Sequence, residues 1–230
     1  MNERTHKVMT DKEKKASQNA ASSSVSSPEQ PPAYFEYEDR RYRATSPTAS
    51  EEAQWKTQFG DLLIADDGGG EQLWLRRPDL PIMRVALSQF RKGKTSIDFE
   101  DILFKSCWLA GGEPWLTDEE LYEAALNEFE PFVEIPDAET RWIENENLYE
   151  LRVNDFVCQV SKPSRRERKK AEKRNTGNKP FGTEIYLLEM IWKSGEEVLA
   201  ALRQDDFAYM GVLVAIQDLK TKRVIELSKK

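Results

Sequence analysis

The sequence predicts an α+β protein that is mainly helical, with two degenerate strand–helix–helix–helix modules and a short N-terminal β-hairpin region. Three observations support this prediction: a polar N-terminal stretch, short apolar runs that alternate with amphipathic segments, and similarity between the two halves of the chain. We expect a disordered tail over 1–33, a first module with N-terminal strands and hairpin over 34–150, and a second, repeat-related module over 151–230.

Composition predicts an intracellular protein. Of the 230 residues, 39% are hydrophobic and 33% are charged, and the mean hydropathy is −0.71. No apolar run is long enough to cross a bilayer and no secretory signal is present, so we expect a cytoplasmic chain without membrane contact. Cys107 and Cys158 lie in apolar stretches, which favours free buried thiols over a disulfide. The net charge of −7 argues against a dedicated nucleic-acid binder.

Strand, turn and capping patterns predict the elements of the first half in order. Residues 1–33 are rich in Ser, Pro and charge and bury too little to fold. Two short strands are expected within 34–47, and Thr48 and Glu51 have capping-box spacing. Apolar runs around DDGGG predict a hairpin over 62–65 and 73–75. Helices are then expected at 80–91, 97–109, 117–131 and 137–145, the third with Thr117 and Glu120 at capping-box spacing.

The second half repeats this order. A strand at 156–160 precedes Ser164 and Glu167, which again have the spacing of a capping box. The predicted helix continues to about residue 174, and a loop rich in Asn and Gly follows it. Further helices are expected at 184–193 and at 205–219, the second of them strongly apolar.

An internal repeat of about 85 residues explains this similarity. Residues 73–86 align on 158–171 at an offset of 85, and residues 100–113 align on 184–197 at an offset of 84. The pairs include Leu75 with Val160, Pro78 with Pro163, Trp108 with Trp192, and Gly111 with Gly195. We interpret the repeat as a duplicated module in which the two Trp residues are core anchors. Chance similarity of two strand–helix–helix units is the alternative.

The residue types that most catalytic and metal sites need are missing. His6 is the single histidine and lies in the predicted tail, which removes His-based triads and metal sites. Asp66 and Asp67 beside three glycines are typical of a hairpin loop, since a cation needs more converging oxygens. Acidic pairs such as Glu100 and Asp101 fall in first turns of predicted helices. We therefore predict no enzymatic activity, no metal site and no cofactor.

A basic run from Lys162 to Arg174 is the sharpest charge feature. Its members include Lys162, Arg165, Arg166, Lys169 and Lys170. Three interpretations are open for this run. It is a solvated helix, a surface that docks onto an acidic partner, or a contact with nucleic acid. No aromatic residue is interleaved for base stacking, which disfavours the last of them.

The first module resembles tail assembly chaperones of tailed bacteriophages. The matching residues are Arg77, Pro78, Cys107, Trp108, Gly111, Gly112, Asp118, Glu119 and Leu121, and KPSRRERKKAE at 162–172 resembles an opening seen in related phage proteins. The resemblance covers 73–130 and, more loosely, 156–195. It implies a non-catalytic protein of the host cytoplasm that binds the tape-measure or another virion structural protein, without a cofactor.

A client site follows from this resemblance and from helix-in-groove recognition. Apolar grooves between modules would hold amphipathic helices of the client. We predict that Trp115 is exposed and binds the client together with Leu121, Ala125 and Phe129, with Glu113, Asp118 and Glu119 as the polar rim. The competing hypothesis is a nucleic-acid-associated accessory or regulatory protein that uses the basic helix 162–174.

Overall fold

The computed structural model describes residues 31–92 and 95–221, which form an α+β fold of helices and small antiparallel sheets. The tail predicted over 1–33 lies outside the described residues except for its last three positions. The described chain from Ala33 onward belongs to one compact unit.

A hairpin opens the fold and a capped helix follows it. Strands β1 (Tyr34–Tyr37) and β2 (Arg40–Arg43) pair antiparallel around a turn in which Glu38 and Asp39 have positive φ, as a two-residue hairpin turn requires. Helix α1 (Ala49–Phe59) begins with the predicted capping box of Thr48 and Glu51. Gly60 ends it with φ of 74°.

The first module begins with a second hairpin and continues into packed helices. Its strands β3 (Leu62–Asp66) and β4 (Gln72–Arg76) confirm the predicted hairpin. Asp79 caps α2 with a side-chain hydrogen bond from the Ile82 amide. The remaining elements are α2 (Leu80–Phe90), α3 (Ser96–Cys107), β5 (Trp108–Ala110), α4 (Pro114–Thr117) and α5 (Glu119–Val133), and β5 pairs with β4.

A third sheet comes next, and the elements after its first strand have an order similar to that from β3 to α5, with an isolated bridge at Trp192 in place of β5. This sheet has the order β6, β7, β8, with β6 (Glu139–Ile143), β7 (Leu148–Val153) and β8 (Phe156–Ser161). Ser164 and Glu167 form the predicted capping box at the start of the next helix. The helices are α6 (Arg165–Arg174), α7 (Gly182–Ile191), α8 (Glu196–Leu202) and α9 (Asp206–Thr221).

Equivalent positions of the predicted repeat have similar backbone pairing. Leu75 lies opposite Trp108 in the β4–β5 pair, and their counterparts Val160 and Trp192 form an antiparallel bridge. Helix α2 packs on α3 as α6 packs on α7, and α5 packs on β3 as α9 packs on β7. The N-caps Asp79 and Ser164 are also 85 residues apart.

Equivalent positions of the two modules are buried alike. The buried pairs are Leu73 with Cys158, Leu75 with Val160, Ala86 with Ala171, and Leu103 with Leu187. Side chains of both modules nevertheless belong to one continuous hydrophobic core. The predicted boundary between residues 150 and 151 falls within strand β7, and it stays a prediction.

Two local predictions are wrong. Residues 137–145 were expected to form a helix, but 139–143 are strand β6, which pairs with β7 and places the Trp142 ring 4.6 Å from that of Tyr149. Thr117 and Glu120 do not form a capping box, because Asp118 accepts hydrogen bonds from the amides of Glu120 and Leu121. Sequence periodicity also missed β7 and α8.

The two tryptophans of the repeat are weaker core anchors than predicted. Trp108 is only partly buried and has edge contacts with Tyr42 and Phe104. Its indole Nε1 donates to the Arg43 carbonyl at 3.3 Å, which joins the N-terminal hairpin to the first module. Trp192 is also partly buried, and its Nε1 donates to the Gly195 carbonyl.

An ion pair fastens α1 to the N-terminal hairpin and makes stability depend on pH. Two bonds of 2.7 Å join the Arg43 guanidinium to the Glu51 carboxylate. These bonds and the capping contacts lower the pKa of Glu51 from 4.5 to about 2. The stabilisation is therefore complete above pH 4.5 and is lost as the pH falls towards 2.

We expect Glu51→Gln to lower the unfolding free energy by about 1 kcal/mol at neutral pH, a value discounted for solvent screening. The difference from the wild type should shrink as the pH falls through 4.5 towards 2. Denaturant unfolding at several pH values measures it, with Glu52→Gln in the same helix as the control. A difference that does not change with pH would refute the assignment of this pair.

Candidate partner-binding groove

Trp115 does not lie at the surface. Its side chain is only 2% exposed, so the prediction that Trp115 is an exposed anchor is wrong. The short helix α4 packs on α5, and this arrangement places Trp115 and Leu116 in the core. The Gly-Gly-Glu-Pro loop before Trp115 suggested a surface position, but that loop only redirects the chain.

The other predicted site residues form the inner face of α5. Ala125 and Phe129 are buried, and Leu121 is partly buried against the core. The Phe129 ring has an edge contact with the Phe104 ring at 5.4 Å. Of the four predicted residues, Phe129 alone lines an open groove.

That groove is an open concavity with mostly apolar walls. It has a volume of about 1020 Å³ and lies between α2, α3, α5 and α9. Met83, Leu103 and Phe129 are buried residues of its floor. Partly covered apolar side chains of its walls include Leu87, Phe99, Leu126, Val133 and Val214. A surface of this kind is typical of a ligand or partner site.

One apolar face of helix α2 contributes both to the core and to the groove. Leu80, Met83 and Ala86 are buried on this face, and Met83, Leu87 and Phe90 line the groove. Phe90 is the last residue of the helix and is 48% exposed, although its ring has an edge contact with Phe99 at 6.2 Å. Phe90 is therefore an aromatic side chain available to a partner.

Acidic side chains surround the apolar walls. Four carboxylates of the lining are exposed, namely Glu100, Glu123, Glu130 and Glu134. Arg91 is the single basic residue among the described lining positions, and its guanidinium donates to the Asn178 carbonyl at 3.3 Å. The groove therefore has a negative rim, which attracts basic partners.

The groove lies where the two modules meet. Phe181 and Val214 belong to the second module, whereas most of the other lining residues belong to the first. Nearby, Arg84 of α2 donates to the Pro180 carbonyl at 3.1 Å. This location agrees with the expected groove between modules.

Several residues that carry the resemblance to tail assembly chaperones have structural roles. The Arg77 guanidinium lies 5.0 Å from the centre of the Phe132 ring and 4.9 Å from that of Phe207, so it joins the modules by cation–π contacts. Pro78 and Cys107 are buried, and Asp118 caps α5. These residues of the resemblance therefore stabilise the fold and do not line the groove.

The two thiols and the two hairpin-loop carboxylates named in the sequence analysis have structural surroundings. Cys107 and Cys158 are free thiols, and burial raises the pKa of each to about 12. The Asp66 and Asp67 carboxylates accept hydrogen bonds from the amides of Gly68 and Gly69, as a hairpin loop requires. Across residues 31–92 and 95–221, no three His, Cys, Asp or Glu side chains meet as a metal site would require.

The predicted basic patch is on the surface. Arg165, Arg166, Lys169 and Lys170 of α6 are exposed, as is Lys162 before the helix. The patch belongs to the second module and contributes no residue to the groove.

Comparisons with family models, with curated proteins and with solved structures return no significant match. Among the helices within the described ranges, none combines the length and the apolar character that crossing a membrane requires.

Proposed function

We propose that this chain is a non-catalytic binding protein of the tail assembly chaperone type, which acts in the host cytoplasm and shields an amphipathic helix of a client. The client is the tape-measure protein or another virion structural protein, as the resemblance of the first module implies. The observation that supports this proposal is the open apolar groove with its acidic rim.

Shape and chemistry favour a helix as the occupant. An amphipathic helix presents apolar side chains at i, i+3, i+4 and i+7, and a groove walled by helices can receive that stripe. Phe90, Phe99 and Leu87 offer aromatic and aliphatic contacts that lose water on binding. Shielding this stripe would keep an aggregation-prone client soluble before assembly.

The rim indicates the charge of the client helix. Glu100, Glu123 and Glu130 would face side chains that flank the apolar stripe, so a helix with Lys or Arg there fits best. Their charges should speed association at low salt rather than provide most of the affinity.

A labelled peptide tests the groove directly. The probe is an amphipathic helix of about 18 residues, roughly 27 Å long, with Leu and Phe on one face and Lys on its flanks. We expect Phe90→Ser to weaken its binding at least about tenfold, which corresponds to about 1.4 kcal/mol. Fluorescence anisotropy measures the affinity, and circular dichroism checks that the variant is folded.

Val85→Ser is the matched control, because Val85 lies on the same helix and is 54% exposed but does not line the groove. The Val85→Ser variant should bind the peptide with the affinity of the wild type. A peptide with Glu in place of Lys on its flanks should bind the wild type less well. Equal losses for Phe90→Ser and Val85→Ser would rule out the groove.

Co-expression with a tape-measure protein of a tailed phage tests the chaperone role. We expect the wild type and Val85→Ser to keep this client soluble, and Phe90→Ser to fail. If solubility instead depends on Arg165, Arg166 and Lys169, or if the recovered partner is nucleic acid, the groove is not the client site.

A further inference from the structure

Helix α6 has a continuous basic face. Arg165, Arg166, Lys169, Lys170 and Lys173 are all exposed, and at 100° per residue they lie within an arc of roughly 140°. Within the described part of the chain, none of these five side chains forms an ion pair. The charges are therefore available to a partner.

The corresponding helix of the first module forms without these charges. The equivalent positions in α2 are Leu80, Pro81, Arg84, Val85 and Ser88, so the first module builds the same helix with a single cation. Electrostatic interactions within α6 also disfavour these charges. Arg165 and Arg166 occupy its first turn, where the helix dipole favours acidic side chains, and Arg165 repels Lys169 one turn later. A local penalty without a structural benefit indicates a functional role.

An acidic face of similar size lies on α5 of the first module. Glu119, Glu120, Glu123 and Glu130 of α5 are exposed and lie within an arc of roughly 100°. Among the described residues none of these four carboxylates forms an ion pair. The acidic face spans about 16 Å along its helix and the basic face about 12 Å, so the two are similar in length.

Residues 34–230 have the same asymmetry of charge between their two parts. Residues 34–150 contain 26 acidic and 12 basic side chains, whereas residues 151–230 contain 11 acidic and 17 basic ones. One half therefore has a net charge of −14 and the other of +6. Two copies attract each other when the acidic half of one faces the basic half of the other. They repel each other when halves of the same charge meet.

We propose that copies of this chain associate head to tail, with the basic face of α6 on one copy docked on the acidic face of α5 on the next. A second copy fits better than nucleic acid, because a polyanion would have to approach beside the acidic half and finds no aromatic side chain on the basic face. The contact joins the basic face of one copy to the acidic face of another. A pair of copies therefore still has one free basic face and one free acidic face, and further copies can extend it into a ring or a filament.

This proposal does not rest on the client groove, although the two share an edge. Glu123 and Glu130 belong both to the acidic face and to the groove rim. A docked copy would therefore cover part of the rim, and client binding and self-association should compete.

Sedimentation velocity of the full chain tests the association at about 50 mM and about 500 mM salt. We expect species larger than the 26.6 kDa monomer that grow with concentration at low salt and disappear at high salt. The first variant carries Arg165→Glu, Arg166→Glu and Lys169→Glu, and the second carries Glu119→Lys, Glu123→Lys and Glu130→Lys. Each alone should be monomeric.

Mixing the two variants is the decisive step. Each then offers the charge that the other has lost, so the mixture should associate again as the wild type does. A control with Lys92→Glu, Arg141→Glu and Lys179→Glu changes the net charge as the first variant does and should behave like the wild type. A monomeric wild type at low salt, or a mixture that stays monomeric, would overturn the proposal, as would retention of duplex DNA by the basic face without self-association.

Discussion

Replacing Phe104 by alanine should lower the free energy of unfolding by about 3–5 kcal/mol. Phe104 is completely buried, and its ring has edge contacts with the rings of Trp108, Tyr122 and Phe129 at centre distances of 6.1, 5.2 and 5.4 Å. Truncation removes the ring and leaves a cavity that three other rings cannot fill. Urea unfolding followed by circular dichroism measures the change.

Leu188 supplies a matched test, because it is the counterpart of Phe104 in the second module and is also buried. Leu188→Ala should cost about 2–5 kcal/mol. Since both side chains belong to one continuous core, both variants should shift a single cooperative transition. Two separate transitions would show that the modules unfold independently. A cost below about 1 kcal/mol for Phe104→Ala would contradict the packing of this cluster.

Gly211→Ala should also destabilise the protein, by about 1–3 kcal/mol, although alanine is the better helix former by about 1 kcal/mol. A Cβ atom at Gly211 would lie 2.6 Å from the Pro136 carbonyl oxygen and 2.9 Å from a methyl group of Val153. The first of these is a backbone atom, so α9 itself would have to move. Thermal unfolding of the variant measures the effect.

Ala124→Gly tests helix propensity alone, because Ala124 lies on the exposed face of α5. This change should cost about 1 kcal/mol. Gly211→Val should cost more than Gly211→Ala, since it adds two methyl groups at the same contact. If Gly211→Ala raised the stability, the close approach of α9 to Pro136 and Val153 would be wrong.

Local side-chain chemistry explains which elements could be predicted. The capping boxes of Thr48 with Glu51 and of Ser164 with Glu167 start helices where the sequence predicts them, because both partners lie within one turn. Glu38 and Asp39 supply a hairpin turn in the same local way. The repeat stays a prediction, but the positions that it pairs, such as Leu75 with Val160, are buried alike.

Tertiary partners decided the elements that the sequence mispredicted. Residues 139–143 become a strand because β7 offers them a partner edge, and β7 itself has only a weak alternation of apolar and polar residues. Asp118 and Thr117 are both good capping residues, and the packing of α4 on α5 selects Asp118.

The candidate site could be predicted only in part. The sequence predicts the apolar face of α5, but an amphipathic pattern does not say whether that face contacts the core or a partner. The prediction for Trp115 is wrong for another reason: the Gly-Gly-Glu-Pro loop before it indicates the surface, whereas the packing of α4 on α5 buries it. The missed signal is the length of the apolar face of α2, which continues to Phe90 at the end of the helix, where the side chain is 48% exposed.

The two buried thiols are built-in reporters of local opening. Cys107 closes α3 in the first module and Cys158 lies in β8 of the second, so each half of the fold carries one. Burial keeps each thiol protonated and shielded, so an alkylating reagent can reach it only when its own surroundings open. The labelling rates of the two sites, resolved by peptide mass, therefore compare how often each half of the native protein opens, without any substitution.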